Sequence, residues 1–317
     1  MIELMSHNRK AVGEITEAFN EGKRHILYVS GVGTGKSFVF MGLAESMLNK
    51  DDRILYIVPR YTIRNNLMAY SDFSILNEQV DFATFNYFTN KEKGMKKLSQ
   101  YDFIVVDEAH HLWSDKYGNA ITECMKELTN KYFLGLTATP ERDITVGGHR
   151  VNVSTDSIFQ QTVNGITNFE AIALGLMPTF NYRLLLPEKD PDQLKKDYDN
   201  MVDITVDYTD CENTLTNIVS IYQRKKWIAY FPDKKRLHEN ESLIRKVFTD
   251  YEIFILYADL HNLDEVLDGV KKAEKAIVLS VDMLLEGVHL SGITGIVLFR
   301  NVTSLVTFQQ IDRKSVV

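Results

Sequence analysis

Apolar residues along this 317-residue chain fall into short unbroken runs separated by stretches of helical period. Ile26-Leu27-Tyr28-Val29, Ile54-Leu55-Tyr56-Ile57-Val58, Val80 to Phe85, Phe103-Ile104-Val105-Val106 and Tyr132-Phe133-Leu134-Gly135-Leu136 all have strand length. Pro59 closes the second run. The first helix is marked by Val12, Ile15 and Phe19 at helical spacing and is stopped by Asn20-Glu21-Gly22. Strands without alternation are buried on both faces, and strands that alternate with helices pair in parallel. The pattern therefore predicts an α/β fold whose parallel sheet is covered on both faces.

From about Asp143 the pattern lapses, and Gly147-Gly148 with scattered polar residues gives no clear period until Phe169 to Met177, a short helix closed before Pro178. Tyr182 to Leu186 is expected as a strand, and Lys195 to Met201 as a solvated helix or loop. At Leu215 the alternation resumes. Ile218 to Tyr222, Leu237 to Phe248 and Leu263 to Val270 read as helices; Trp227 to Phe231, Ile253 to Tyr257, Ala276 to Leu279 and Gly295 to Phe299 read as strands. A last helix starts at Ser304. Two α/β domains of similar size, joined near residues 145 to 180, account for this order, and the length suffices for two ordinary cores.

Composition narrows the setting. Cys124 and Cys211 have no metal-ligand spacing, which fits a reducing compartment and argues against a disulfide. No apolar run approaches a membrane span and Met1 to Lys10 has no signal core, so a cytoplasmic protein with no membrane partner is expected. The net charge of −7 argues on its face against nucleic acid. Yet Glu188 to Glu212 alone holds nine carboxylates against three lysines. The remainder is close to neutral and leaves room for a local basic groove.

Between the first strand and the helical pattern Phe38, Val39, Met41, Leu43, Met47 lies Ser30-Gly31-Val32-Gly33-Thr34-Gly35-Lys36-Ser37. Strand, glycine loop and helix start, in that order, form a cradle whose N–H groups point at a phosphate. Lys36 would reach the β- and γ-phosphates and Ser37 a Mg²⁺ ion. Serine at position 30 departs from the strict glycine pattern. Asp107-Glu108, at the end of a parallel strand, arrives at the same sheet edge: Asp107 can hold Mg²⁺ through water while Glu108 polarises an attacking water. Such a pair implies hydrolysis of the nucleotide, where a lone cradle implies only binding.

The four residues Asp107-Glu108-Ala109-His110 carry a resemblance that the rest of the chain extends. The sequence resembles a superfamily 2 helicase of the DEAH-box type over nearly its whole length. Ser30 to Ser37 is similar to motif I; Pro59, Arg60, Thr62 and Arg64 to motif Ia; Ala83-Thr84-Phe85 to motif Ib; Leu136-Thr137-Ala138-Thr139-Pro140 to motif III. Trp227 to Pro232 resembles motif IV, Ser280 to Leu290 motif V, and Phe308-Gln309-Gln310-Ile311-Asp312-Arg313 motif VI. Phe169 to Pro178 and the ending Glu286-Gly287-Val288-His289-Leu290 are similar to the branch that includes restriction-enzyme motor subunits (types I and III), which works mostly on double-stranded DNA.

The resemblance implies two tandem RecA-like domains, 1–165 with motifs I to III and 166–317 with motifs IV to VI. It implies ATP and Mg²⁺ as cofactors and a nucleic-acid partner, double-stranded DNA first, with room for a nuclease or specificity subunit. It implies catalytic roles for Glu108, Gln309 and Arg313 and nucleotide binding by Gly33, Thr34, Gly35, Lys36, Ser37, Asn8 and Gly287. Ser37 and Asp107 would serve the metal, His110, Thr137 and Thr139 would couple hydrolysis to strand contacts, and Arg60, Arg64 and Thr84 would grip the nucleic-acid backbone. Two rivals stay open: an ATP-gated binding module with little hydrolysis, and an RNA helicase of the same fold.

Some positions depart from the family's pattern. Asn8 falls where the family has an adenine-reading glutamine, and either reads the base or caps the first helix. Motif VI has Asp312 where glycine is usual and Val316 where a second arginine is expected. The last helix stops almost where it begins to close the second domain, so Val317 is expected to be a truncated end. Trp113 and Trp227 are expected in cores or interfaces, Lys91, Lys93, Lys96 and Lys97 on a solvated surface. His110-His111 is not read as a metal pair, because sequence neighbours point apart.

Overall fold

The computed structural model describes residues 3–31, 33–49, 51–68, 70, 78–113, 118–146, 149–176, 215–216, 218–220, 224–257, 260, 262–281, 290 and 292–299. The chain divides into two compact units, Met1–Pro178 and Thr179–Val317.

The first unit is built on six parallel strands: β1 (His25–Val29), β2 (Ile54–Val58), β3 (Val80–Thr84), β4 (Phe103–Asp107), β5 (Tyr132–Thr137) and β8 (Gln161–Asn164), in the order β3-β2-β4-β5-β1-β8. The residues of β2 show why unbroken apolar runs make these strands. All five are fully buried, and their side chains go alternately to two different cores. Ile54, Tyr56 and Val58 join α1 (Ser6–Asn20), α2 (Lys36–Met47) and α3 (Tyr61–Met68) on one face. Leu55 and Ile57 join α4 (Lys91–Leu98) and α5 (Gly118–Glu127) on the other. A strand with a core on each side has no polar face to offer.

Helix ends follow local chemistry. The amides of Gly22 and Lys23 turn back to the carbonyls of Phe19 and Ala18 and close α1 where Asn20-Glu21-Gly22 predicted. The Asn90 side chain accepts from the Lys93 amide and starts α4.

The stretch after Pro140, expected to lack regular structure, contains three strands. β6 (Glu141–Val146) and β7 (His149–Ser154) pair as an antiparallel hairpin, and β8 adds to the edge of the main sheet beside β1. Only Val163 is buried in β8. The strand is held by its ladder with β1, which leaves almost no apolar signal in the sequence. The helix expected over Phe169 to Met177 is shorter: α6 (Asn168–Ala173) stops before Gly175, whose φ is +69°.

The second unit has four parallel strands, β9 (Lys226–Tyr230), β10 (Glu252–Leu256), β11 (Ala276–Ser280) and β12 (Gly295–Leu298), in the order β10-β11-β9-β12. Leu237 and Ile244 of α7 (Lys234–Val247) pack on one face, and Val270 of α8 (Leu263–Lys272) on the other. Both units are thus parallel sheets covered by helices on both faces. The expected strand at Tyr182 to Leu186, the segment Lys195 to Met201 and the helix from Ser304 lie outside the described residues.

Candidate active site

Strands β1, β4 and β5 are neighbours, with β5 in the middle, so the loop after β1, the acidic pair after β4 and the threonines after β5 emerge side by side. Ligands of open α/β sheets bind at such carboxyl edges.

The loop turns into α2 through Gly33 and Gly35, whose φ angles of +66° and +85° are accessible to glycine at little cost. Gly35 is the N-cap of α2, and Lys36 is its first residue. No side chain caps that first turn, whose Phe38 and Val39 amides donate to the Gly35 carbonyl, and the helix N-terminus opens onto the loop. The Lys36 ammonium lies over the loop's entry, donating to the carbonyls of Ser30 at 3.2 Å and Gly31 at 3.1 Å. Thr34 is fully buried and donates its hydroxyl to the Gly31 carbonyl at 2.6 Å, so its side chain shapes the loop from inside. A Cβ on Gly33 would meet nothing within 4 Å. That face of the cradle is open, and the donor set fits a polyphosphate.

Asp107 is the last residue of β4. Its carboxylate accepts the Glu108 amide at 3.0 Å. Glu108 has φ +48°, the left-handed region that costs an L-residue about 1–2 kcal/mol. Glu108 Oε2 stands 3.5 Å from Nδ1 of His110, and the same nitrogen is 3.2 Å from the Thr137 hydroxyl at the end of β5. That hydroxyl donates to the Thr139 carbonyl at 3.0 Å and accepts the Thr139 amide at 3.1 Å. His110, Thr137 and Thr139 are all buried. Glu108 is thereby connected through His110 to the turn that follows β5.

Tyr56, fully buried in β2, ties the two halves of the site together. Its hydroxyl is pushed well above the ordinary phenol range, first by burial and then by the negative charge of Asp107 and, more weakly, Glu108, with Ser37 opposing the shift. A single side chain senses the first turn of α2 and the acidic pair at once, so Ser37, Asp107 and Glu108 share one neighbourhood. Ser37 and Asp107 fit a hydrated Mg²⁺, which takes few protein ligands when phosphates supply the rest. Among the described residues no group of three or more His, Cys, Asp or Glu forms a dedicated metal cage.

The N-terminal turn of α1 packs on the loop. His7 Nε2 lies 2.8 Å from the Thr34 carbonyl. Asn8 is buried, and a Cβ on Gly35 would fall 2.5 Å from its Nδ2. Met5, not Asn8, is the N-cap of α1, and it makes no side-chain cap. The capping alternative for Asn8 is therefore replaced by contact with the phosphate loop. Arg60 lies between β2 and α3; Arg64 is exposed on α3, with its guanidinium 5.6 Å from the Phe82 ring; Thr84 ends β3. All three follow the same carboxyl edge. Gly287, Gln309 and Arg313 lie outside the described residues, as does Cys211.

One other expectation is corrected. The rings of His110 and His111 stand 4.6 Å apart, tilted by 31°, because the 3-10 turn Ala109–Trp113 holds neighbours side by side and does not point them apart. Lys91, Lys93 and Lys96 are exposed as expected; Lys91 pairs with Glu127, and Lys93 and Lys97 lie 4.5 and 6.0 Å from the Tyr87 ring. Trp227 is buried and donates its indole N–H to the Arg224 carbonyl. Sequence reasoning missed His7 and Tyr56. His7 adjoins Asn8, a usable hint; Tyr56 sits in the middle of an apolar strand and carries no such mark.

Comparisons with known proteins show what the chain is similar to. A family model described as "Type III restriction enzyme, res subunit" matches residues 1–91 and 72–142. RNA polymerase-associated protein RapA of Klebsiella pneumoniae (strain 342) is 27% identical over 163 residues, covering 41% of this chain and 17% of that protein. The chain thus spans about a sixth of that curated relative. Among solved structures, the fragment of a putative HsdR subunit of a type I restriction enzyme from Vibrio vulnificus YJ016 aligns with a TM-score of 0.71 at 17% identity, covering 99% of this chain and 61% of that one. Saccharomyces cerevisiae Dbp5 bound to RNA and ADP BeF3 aligns at 0.55 and 13% identity, covering 98% and 84%. The structural likenesses carry the two-sheet α/β fold. Together with the family match they support the resemblance read from the motifs, a restriction-motor-like superfamily 2 helicase region.

Proposed function

We propose that the chain is an ATP-dependent nucleic-acid translocase or helicase acting on double-stranded DNA in a cytoplasmic setting. Residues 1–165 would act as the nucleotide-binding domain and 166–317 as its partner domain. The reading rests above all on the carboxyl edge of β1, β5 and β4, where the phosphate loop, Thr137 and the Asp107-Glu108 pair emerge side by side. A cradle alone supports binding; a cradle beside a strained acidic pair supports hydrolysis. In this reading Lys36 and the amides of Gly33 to Ser37 hold the phosphates. Ser37 and Asp107 hold Mg²⁺, which supplies charge neutralisation when bound. Glu108 orients and polarises water, and His110 passes its position to Thr137 and Thr139. Arg60, Arg64 and Thr84 would contact phosphates of the nucleic acid. Gln309, Arg313 and Gly287 enter by motif alone. A nuclease or specificity subunit as partner belongs to the same proposal.

Steady-state ATPase tests it, with duplex DNA, single strands and RNA as stimulators. Stimulation by duplex supports the DNA reading, by RNA alone the RNA-helicase reading. Asp312 beside Arg313 and Val316 in place of a second arginine favour a second reading, an ATP-gated binding module: both lower positive charge where phosphoryl transfer needs it. Nucleotide-dependent DNA binding without turnover would select that reading.

A further inference from the structure

Ser30 replaces the usual loop glycine, and the structure gives its hydroxyl two partners. It lies 2.9 Å from Oγ1 of Thr34 and 3.2 Å from the carbonyl of Ile166. The Gly31 amide donates to that same carbonyl at 2.7 Å, and the Gly165 amide donates to the Val29 carbonyl at 2.8 Å. Asn168 stands directly over the loop: a Cβ on Gly31 would fall 2.6 Å from its Oδ1. Four consecutive residues after β8 therefore run along the entry of the phosphate loop, bonded to it twice through the Ile166 carbonyl and to the end of β1 through the Gly165 amide.

The far end of this segment is also fixed. Thr167 caps α6 in a reciprocal box with Glu170, whose carboxylate accepts the Thr167 amide at 2.7 Å and its hydroxyl at 2.9 Å. Phe169, next to Asn168, is 86% exposed, so α6 is held in place by its cap and its loop contacts more than by burial. Beyond α6, the first unit ends at Pro178. The segment is thus the last structured part of unit 1 to touch the phosphate loop before the chain leaves that unit.

We propose that Gly165–Asn168 is a strap that positions the phosphate loop, with Ser30 and Asn168 as its joints, and that nucleotide binding in turn tightens the strap. The proposal rests on the nucleotide reading given above. A glycine-rich loop loses much backbone freedom when it closes on an anion. Bonds that already hold its entry reduce that loss and raise affinity. The coupling is reciprocal: what helps the loop bind must itself be stabilised by binding. β8 and the strap form a sheet edge with a single buried apolar side chain, Val163, so their local stability is low enough to respond.

The test uses the full chain and Mg-ADP. Ser30→Gly restores the residue of the strict loop pattern and removes the hydroxyl together with its Cβ; Asn168→Ala removes the other joint. Calorimetric titration is expected to give about threefold to tenfold weaker ADP binding for Ser30→Gly, the loss of one or two hydrogen bonds, and a loss of similar size for Asn168→Ala, whose side chain covers Gly31. Hydrogen exchange adds a readout that a purely structural role would not move. In the parent, Mg-ADP should slow exchange in peptides covering residues 163–170, and in Ser30→Gly that slowing should be lost. Parent-like ADP affinity in both variants overturns the strap while leaving the nucleotide reading intact. An ADP-insensitive strap in a parent that binds ADP overturns it too, even should a variant fail to fold. A parent that binds no Mg-ADP overturns the nucleotide reading and the strap with it.

Discussion

Replacing Glu108 separates its chemistry from its backbone. Glu108→Gln keeps size and hydrogen-bonding reach but removes the negative charge that would polarise water. The loss of a positioned general base costs about 10²- to 10⁴-fold in turnover. Nucleotide binding should survive, because the Lys36 and Asp107 contacts do not pass through that carboxylate. Glu108→Gly should abolish turnover to the same degree and add a second effect. At φ +48° the native glutamate costs about 1–2 kcal/mol that glycine does not. Part of that gain is offset by the greater freedom of glycine in the unfolded chain, roughly 0.5–1 kcal/mol. The net gain is up to about 1 kcal/mol, or about 2–4 °C for a unit of this size. The assays are single-turnover ATP hydrolysis, ADP binding and a thermal melt on the three proteins. Parent-rate hydrolysis by Glu108→Gln refutes the base; a melting temperature lowered by Glu108→Gly refutes the strain.

Lys36→Ala should weaken nucleotide binding by about tenfold to a hundredfold, the worth of charged hydrogen bonds, and a fluorescent-nucleotide titration reads it; retained affinity removes Lys36 from the phosphates. Arg64→Ala should leave folding intact, since the side chain is exposed, and should reduce the salt slope of DNA binding by about one; an unchanged slope places Arg64 off the interface. Asp102 accepts the backbone amide of Arg53, which first holds its pKa below the usual value, and it also pairs with Lys131 at 3.2 Å. A depressed folded pKa contributes stability above the ordinary carboxylate range and loses it as pH falls through the folded value. Asp102→Asn should therefore lower urea stability at pH 7 and match the parent once the pH lies below that folded value; a deficit that persists in acid contradicts the linkage.

The sheets were legible because their residues leave no alternative. A run such as Phe103 to Val106, apolar at every position, can only be a strand between two cores, and its partners and direction follow from the helices around it. The stretch Glu141–Asn164 failed for the opposite reason. The hairpin of β6 and β7 and the edge strand β8 are held by backbone ladders, with one buried apolar residue in β8. Ladders are made by groups that every residue carries, so a sequence records them only where a side chain must also be buried.

The same distinction runs through the site. Lys36, Ser37, Asp107 and Glu108 were found because their chemistry is unusual at the end of a strand, whatever surrounds it. Tyr56 and Ser30 were not, because what makes them part of the site is a neighbour far away in sequence. The Tyr56 hydroxyl matters through Ser37 and Asp107, and the Ser30 hydroxyl through Ile166, a residue more than a hundred positions further on. Read alone, serine at position 30 is a defect in a phosphate loop. Seen beside the Ile166 carbonyl, it is a hydroxyl with an acceptor waiting, placed where glycine would leave the carbonyl to Gly31 alone. A departure from a motif therefore points to what packs against the motif. Here that is the strap, whose Ile166 carbonyl bonds both the Ser30 hydroxyl and the Gly31 amide at the loop's entry.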